Sequence, residues 1–187
     1  MGMVPGDFDL FLPLMYQEFG SLQNKEMLEL GNQLNWHNEP GGCRQAFRTL
    51  GFKHTMVDIN GKDGAIVKDL RNASAWTHWH DHFDVITNCG VTEHVEPNTT
   101  QYTPWKIIHD CCKIGGLMCH VLPMDTQMWA MHCTTYYDES FFDKLAAAAG
   151  YKKLGYRQVR EHNVCVLQKL LHQFPSEYDF MQWPIFK

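Results

Sequence analysis

Short apolar runs alternate with segments of helical period along most of the chain. Residues 27–31 (M-L-E-L-G), 54–59 (H-T-M-V-D-I), 64–69 (G-A-I-V-K-D), 83–88 (F-D-V-I-T-N) and 117–123 (L-M-C-H-V-L-P) are strand-length, rich in β-formers and closed by Gly, Asp, Asn or Pro. Residues 43–50, 102–114 and 139–149 carry helical patterns that run into Gly51, Gly115-Gly116 and Gly150, and glycine ends helices by accepting a left-handed cap. Alanines at 146–149 reinforce the last of these helices through their high intrinsic propensity. Strand and helix in regular alternation predict an α/β fold, a doubly wound, mostly parallel sheet covered on both faces. Residues 156–160 and 163–168 are two further strands whose link is too short for a crossover, so they must pair antiparallel at one edge. The expectation is a seven-stranded sheet with an antiparallel last strand. An N-terminal helical cap over about residues 1–25 and an aromatic tail over about 174–187 complete a single domain, 1–187, without repeat or linker.

Composition narrows the class. At 187 residues the chain can bury a real core without covalent staples. Its seven cysteines are odd in number and contain no C-x-x-C pair, which indicates reduced, mostly buried thiols rather than a disulfide framework or a zinc knuckle. There is no basic segment leading into a long apolar run, and no stretch approaches the ~20 apolar residues of a membrane span, so a soluble cytoplasmic protein is expected. Sixteen basic against twenty-one acidic residues give a net charge of −5, with no Lys/Arg run, which argues against an extended nucleic-acid surface. Six tryptophans supply aromatic walls, either for the core or for a pocket.

Ligands of doubly wound sheets bind beyond the carboxyl ends of the strands, which points to Gly31, Asp58, Asp69, Asn88 and Pro123 and to the residues immediately after each. Glu29-Leu30-Gly31 closes the first strand, and Asp58 closes the second after one helix. An acid there can accept hydrogen bonds from a ribose diol, while glycine lets the first turn approach the ligand closely. In this ordered set the chain resembles the class I S-adenosylmethionine-dependent methyltransferases, in their small-molecule branch, from about Met27 to Gln168.

The resemblance implies S-adenosylmethionine as cofactor and methyl transfer to a small-molecule acceptor. Glu29 and Gly31 match the opening of the family's E/D-x-G-x-G segment under the methionine, with Asn32 beside it. Asp58, with Ile59, matches the ribose-holding acid, Asp69-Leu70 flanks the adenine, and Asn88 ends the fourth strand. The stretch C-G-V-T-E-H-V-E, residues 89–96, is similar to the segment after the fourth strand in the same branch. It makes His94 the candidate catalytic base, although a structural role suits His94 equally. Glu93, Trp129, His132 and Tyr136 are the candidate substrate walls. Glu93 with His94 could also hold a divalent ion, but no metal is expected.

Two departures matter. Gly31 is followed by Asn32-Gln33-Leu34-Asn35, without the family's later glycines. Asparagine tolerates a left-handed backbone, so a rebuilt turn is possible; the alternative is a methyltransferase-like binding or scaffold protein without turnover. The N-P-P-Y type segment of base-amine methyltransferases is replaced by Asn88-Cys89-Gly90-Val91, which favours an acceptor oxygen over a base amine.

The run T-H-W-H-D-H, residues 77–82, is similar to the T-H-x-H-x-D-H motif of the metallo-β-lactamase hydrolases, but one residue is missing before Asp81. A one-residue deletion rotates every later side chain by about 100° on a helix or flips it across a strand. The run also precedes the fourth strand, and is thus expected at the end of the sheet remote from the cleft. No functional metal is assigned to His78, His80 and His82.

Overall fold

The computed structural model describes residues 6–33, 42–96, 101–133 and 135–183. Seven strands form one sheet: β1 (Glu26–Leu30), β2 (Lys53–Asp58), β3 (Ile66–Val67), β4 (Phe83–Cys89), β5 (Cys112–Pro123), β6 (Lys152–Val159) and β7 (His162–Gln168), in the order β3-β2-β1-β4-β5-β7-β6. The first five pair in parallel, and β7 runs antiparallel to both β5 and β6. Five α-helices accompany them: α1 (Phe8–Phe19), α2 (Gly42–Thr49), α3 (Tyr102–Cys111), α4 (Glu139–Ala149) and α5 (Glu177–Met181).

Period-two alternation along the central strands divides the core between the two faces. On β5, Leu117, Cys119 and Val121 join Phe11 and Met15 of α1 and Phe47 of α2. Met118 and Leu122 join Trp105 of α3, Phe141, Phe142 and Leu145 of α4, and Phe180 of α5. The N-terminal helix α1 packs on the Leu117 face of the sheet through Phe11 and Met15. Phe174, Phe180 and Trp183 of the aromatic tail pack against the core, residues 184–187 lying outside the described part.

Several element boundaries differ from the sequence pattern, among them β6, which begins at Lys152 rather than at 156. The third strand holds only Ile66–Val67, because Lys62–Gly64 turn in a 3-10 conformation immediately before it. The third helix ends at Cys111 rather than at 114, and Gly115-Gly116 sits inside a long β5. Cys112 pairs with Phe83, and the register then shifts before Val85 meets Leu117, so the glycines mark a bulge and not a helix stop. The actual stop is Lys169, buried, whose Nζ donates to the carbonyls of His109 and Cys112 at 2.8 and 2.7 Å and pairs with Asp81 at 3.0 Å. A cation there satisfies carbonyls that the helix leaves open.

The histidine run forms a 3-10 segment, Ala73–Trp79, and the turn after it. Trp76 is buried and donates to the Asp69 carbonyl at 3.0 Å, while His78, His80 and His82 are exposed. His82 approaches Glu26 at the start of β1 and His80 approaches Asp110 at the end of α3, each at 3.9 Å, so they lie at the amino end of the sheet and do not converge.

Candidate functional site

The carboxyl ends of β1, β2 and β4 open into a cavity of about 370 Å³. Its floor is the turn after β1. Gly31 has φ +77°, and its N–H donates to the Val57 carbonyl at 2.8 Å. A Cβ on Gly31 would stand 2.6 Å from Gln33 Nε2 and 2.7 Å from Val91 Cγ2, so both backbone angle and space require glycine. Gln33 stands where E-x-G-x-G would have its second glycine. Its side chain folds back, Nε2 donating to the Leu30 carbonyl at 3.1 Å, and its Oε1 is buried without a partner among the described residues. The missing glycine is thus replaced by a side-chain brace that also lines the cavity. Residues 34 and 35 of the same loop lie outside the described part.

Glu29, expected at the cofactor, does not line the cavity. It is buried beneath it, Oε1 accepting from the Gln33 N–H at 2.8 Å and Oε2 lying 2.6 Å from His54 Nε2, so it braces the turn. Asp58 does line the cavity. Its Oδ2 accepts from the Asn32 N–H and its Oδ1 from the Asn60 N–H, both at 2.9 Å, which fixes the carboxylate at the end of β2 and ties it to the first turn. The Asn32 amide donates onward to Asp63, and Ile59 stands exposed at the lip. On the far wall are Asp69, Leu70 and Arg71. The Arg71 guanidinium grips Asp69 with Nη2 to Oδ2 at 2.8 Å and Nε to Oδ1 at 3.0 Å, holding that carboxyl below its usual range.

The wall from β4 is built differently from expectation. Asn88 is buried behind the cavity, its Nδ2 donating to Thr92 Oγ1 at 2.9 Å and lying 3.3 Å from His120 Nδ1. The lining comes from Gly90, Val91, His94, Val95 and Glu96. Between them Thr92–His94 forms a 3-10 turn clamped from behind by Gln101, whose Nε2 donates to the Thr92 and Val95 carbonyls, each at 2.9 Å, while its Oε1 accepts from Tyr137.

That turn presents an unusual group. Glu93 is fully buried, neither carboxylate oxygen has a hydrogen-bond partner among the described residues, and burial raises its pKa to about 8. His94 Nε2 lies 3.8 Å from Glu93 Oε1, and the His94 ring meets His132 at 4.6 Å between centroids. Burial, then the neighbouring His132, lowers the His94 pKa, and burial also lowers that of His132. Trp129 stacks near His132 at 4.8 Å and donates through Nε1 to the Glu161 carbonyl at 3.1 Å; Tyr136 donates to the Trp129 carbonyl. Of the expected substrate residues, Glu93, Trp129, His132 and Tyr136 stand outside the cavity lining, and the first three gather near His94 on its outer side. The sequence reading missed Gln33, Arg71, Gly90, Val91, Val95 and Glu96. Gln33, Arg71, Gly90 and Val91 come within three residues of strand ends already singled out, and Val95 and Glu96 close the 89–96 stretch, which are the signals that could have found them.

The sequence matches no protein-family model and no curated protein. Solved structures do resemble it. One is the 1,6-didemethyltoxoflavin-N1-methyltransferase of Burkholderia thailandensis, solved with 1,6-didemethyltoxoflavin and S-adenosylhomocysteine, at a TM-score of 0.64 over 89% of this chain and 79% of that one. The chain has the Rossmann-like methyltransferase fold. Identity to that enzyme is 13%. The PH0226 protein of Pyrococcus horikoshii OT3 shares the fold at a TM-score of 0.61 and 15% identity, over 87% and 89% of the two chains. The MycE methyltransferase of mycinamycin biosynthesis, solved with Mg and S-adenosylhomocysteine, does so at 0.56 and 17%, over 87% of this chain and 50% of that one.

Proposed function

We propose that the protein transfers the methyl group of S-adenosylmethionine to an oxygen of a small-molecule acceptor. The observation that carries the reading is the cavity over the carboxyl ends of β1, β2 and β4, with a glycine at φ +77° in its floor and a fixed carboxylate, Asp58, at its side. The residues present fit that cofactor. Gly31 and Asn32 line the cavity at its floor, the Oε1 of Gln33, without a hydrogen-bond partner among the described residues, is a buried acceptor suited to an ammonium group, and Asp58 has lone pairs left for a ribose diol. Leu70 with the Asp69–Arg71 pair suits the edge and face of an adenine. When bound, the cofactor supplies an electrophilic methyl group on a sulfonium.

The chain's own contribution is to orient the acceptor and handle its proton. Among the described residues His94 is the one imidazole lining the cavity, and in metal-free protein it accepts the proton of the acceptor hydroxyl. His132, with Trp129 and Tyr136, walls the acceptor side, and neighbours such as the toxoflavin enzyme act on small molecules. Oxygen is favoured as acceptor because the end of β4 and the turn after it read Asn88-Cys89-Gly90-Val91 in place of an amine-gripping motif. Seven cysteines in the reduced state, six of them buried, support a reducing cytoplasm as the place of work.

One observation favours a second reading. Gln33 occupies the place of a loop glycine, which suits a protein that binds cofactor without turnover. Incubation with S-adenosylmethionine carrying a labelled methyl group, and a panel of small phenols, hydroxy acids and amines, separates the two. Label in a hydroxyl acceptor supports the proposal, label only in amines overturns the oxygen assignment, and cofactor binding without product supports the second reading.

A further inference from the structure

Taking a charge out of water is costly unless a partner is supplied, so a buried carboxylate with two idle oxygens needs a physical reason. Glu93 is such a group. It is fully buried, held in place by the Gln101 clamp, and neither oxygen is hydrogen-bonded among the described residues. Two imidazoles stand beside it, His94 from the same turn and His132 from the segment after β5, and one ligand atom from each of the three lies within 4.8 Å of the others. The two imidazole rings meet edge to face at 4.6 Å between centroids, which brings both to one side of the Glu93 carboxylate.

We propose that Glu93, His94 and His132 bind a divalent transition-metal ion of the zinc or iron(II) class at the acceptor side of the cavity. One carboxylate and two imidazoles form a donor set typical of catalytic zinc and of non-haem iron(II), with positions left open. Magnesium prefers oxygen donors and retained waters, so two imidazoles disfavour it. Ligand bonds near 2.0–2.1 Å put tetrahedral ligand atoms about 3.3 Å apart. The pair already at 3.8 Å is close to that, and the exposed His132 side chain can close the remainder.

The position gives the ion a use, and this part rests on the methyl-transfer reading above. His94 lines the cavity, so an ion on its ring leaves its open positions for water and for an oxygen of the acceptor. With the ion bound, His94 is a ligand instead of a free base, and the ion both anchors the acceptor oxygen and increases its acidity. The ligand class implied is a small molecule with a chelating oxygen, such as a hydroxy acid or a catechol.

The test uses the full chain purified without a histidine tag and stripped with a chelator, titrated with zinc alone and, separately, with cobalt(II) for its ligand-field absorption. One tight equivalent of zinc is expected in the parent, lost in Glu93→Gln and in His132→Ala and kept when His78, His80 and His82 are all changed to Gln. His132 is exposed and Glu93→Gln keeps the size and shape of a buried side chain that makes no hydrogen bond among the described residues, so both variants should keep the parent's melting temperature in chelator. No tight zinc in the parent overturns the assignment, as does zinc that survives Glu93→Gln or that disappears with the three surface histidines. S-adenosylhomocysteine affinity is measured on the same chelated samples. Its loss there would overturn the cofactor reading alone, because zinc binding needs none of the cofactor-side residues.

Discussion

Replacing Gly31 with alanine tests how tightly the turn under the cavity is built. The backbone at φ +77° costs an L-residue roughly 1–2 kcal/mol. The new methyl would also meet Gln33 Nε2 at 2.6 Å and Val91 Cγ2 at 2.7 Å, both closer than van der Waals contact. Val91 is β-branched and stiff, and Gln33 can move only by giving up its bond to the Leu30 carbonyl, worth about 1 kcal/mol. With overpacking included, the substitution should lower unfolding free energy by about 2–4 kcal/mol in urea denaturation without ligand. A double-mutant cycle with Gln33→Ala isolates the Gln33 share, because the paired variant removes one of the two clashes and should recover about 1 kcal/mol relative to additivity. A loss below ~0.5 kcal/mol for Gly31→Ala, or strict additivity in the cycle, would refute this account of the turn.

Acidification should unfold the protein in a defined window. His109 is buried with Nε2 donating to the His172 carbonyl and Nδ1 against the Tyr151 hydroxyl; burial and the nearby Lys169 lower its pKa to about 4, and burial lowers that of His120 to about 3. Both are depressed below the unfolded value, so their stabilisation is complete above about pH 6.5 and is lost as pH falls toward 4, about 2 kcal/mol per histidine between pH 7 and 5. Melting temperature against pH checks this, and His109→Gln should flatten the slope. Gln101→Ala should cost about 2–4 kcal/mol, since it strands the Tyr137 hydroxyl and the Thr92 and Val95 carbonyls, and it should weaken zinc binding because the Glu93 turn loosens. Changing His78, His80 and His82 together to Gln should alter stability by no more than about 0.5 kcal/mol per site, read by the same denaturation.

The order of the fold was legible because each strand and most helices carry their own punctuation. Asp138 caps α4 by accepting from the Phe141 N–H and Gly150 ends it in the left-handed conformation, and both signals are local in the chain. The end of α3 was not legible because its stop is a buried lysine far along the chain, Lys169, whereas the glycines that resemble a stop serve a bulge in β5. Gly31, Asn32, Asp58, Ile59, Asp69 and Leu70, at or just past strand ends, line the cavity, as does His94 from the 89–96 stretch. Glu29 and Asn88 sit at the right strand ends but point into the core, because period-two alternation sets which face a strand residue occupies and local identity does not. The meeting of His132 with Glu93 and His94 depends on how the segment after β5 folds back, and no short-range pattern encodes that contact. The histidine run at 77–82 is the converse case, three ligating residues close in sequence whose place at the amino end of the sheet separates them.

The central claim is a nucleoside-bearing cofactor held over the carboxyl ends of β1 and β2, and calorimetric titration of S-adenosylhomocysteine into parent and Asp58→Ala protein tests it most directly. The account predicts one site in the parent, and a loss of ~1.5–3 kcal/mol in the variant from removing a charged hydrogen-bond acceptor. No binding in the parent, or the same dissociation constant in both proteins, would contradict it.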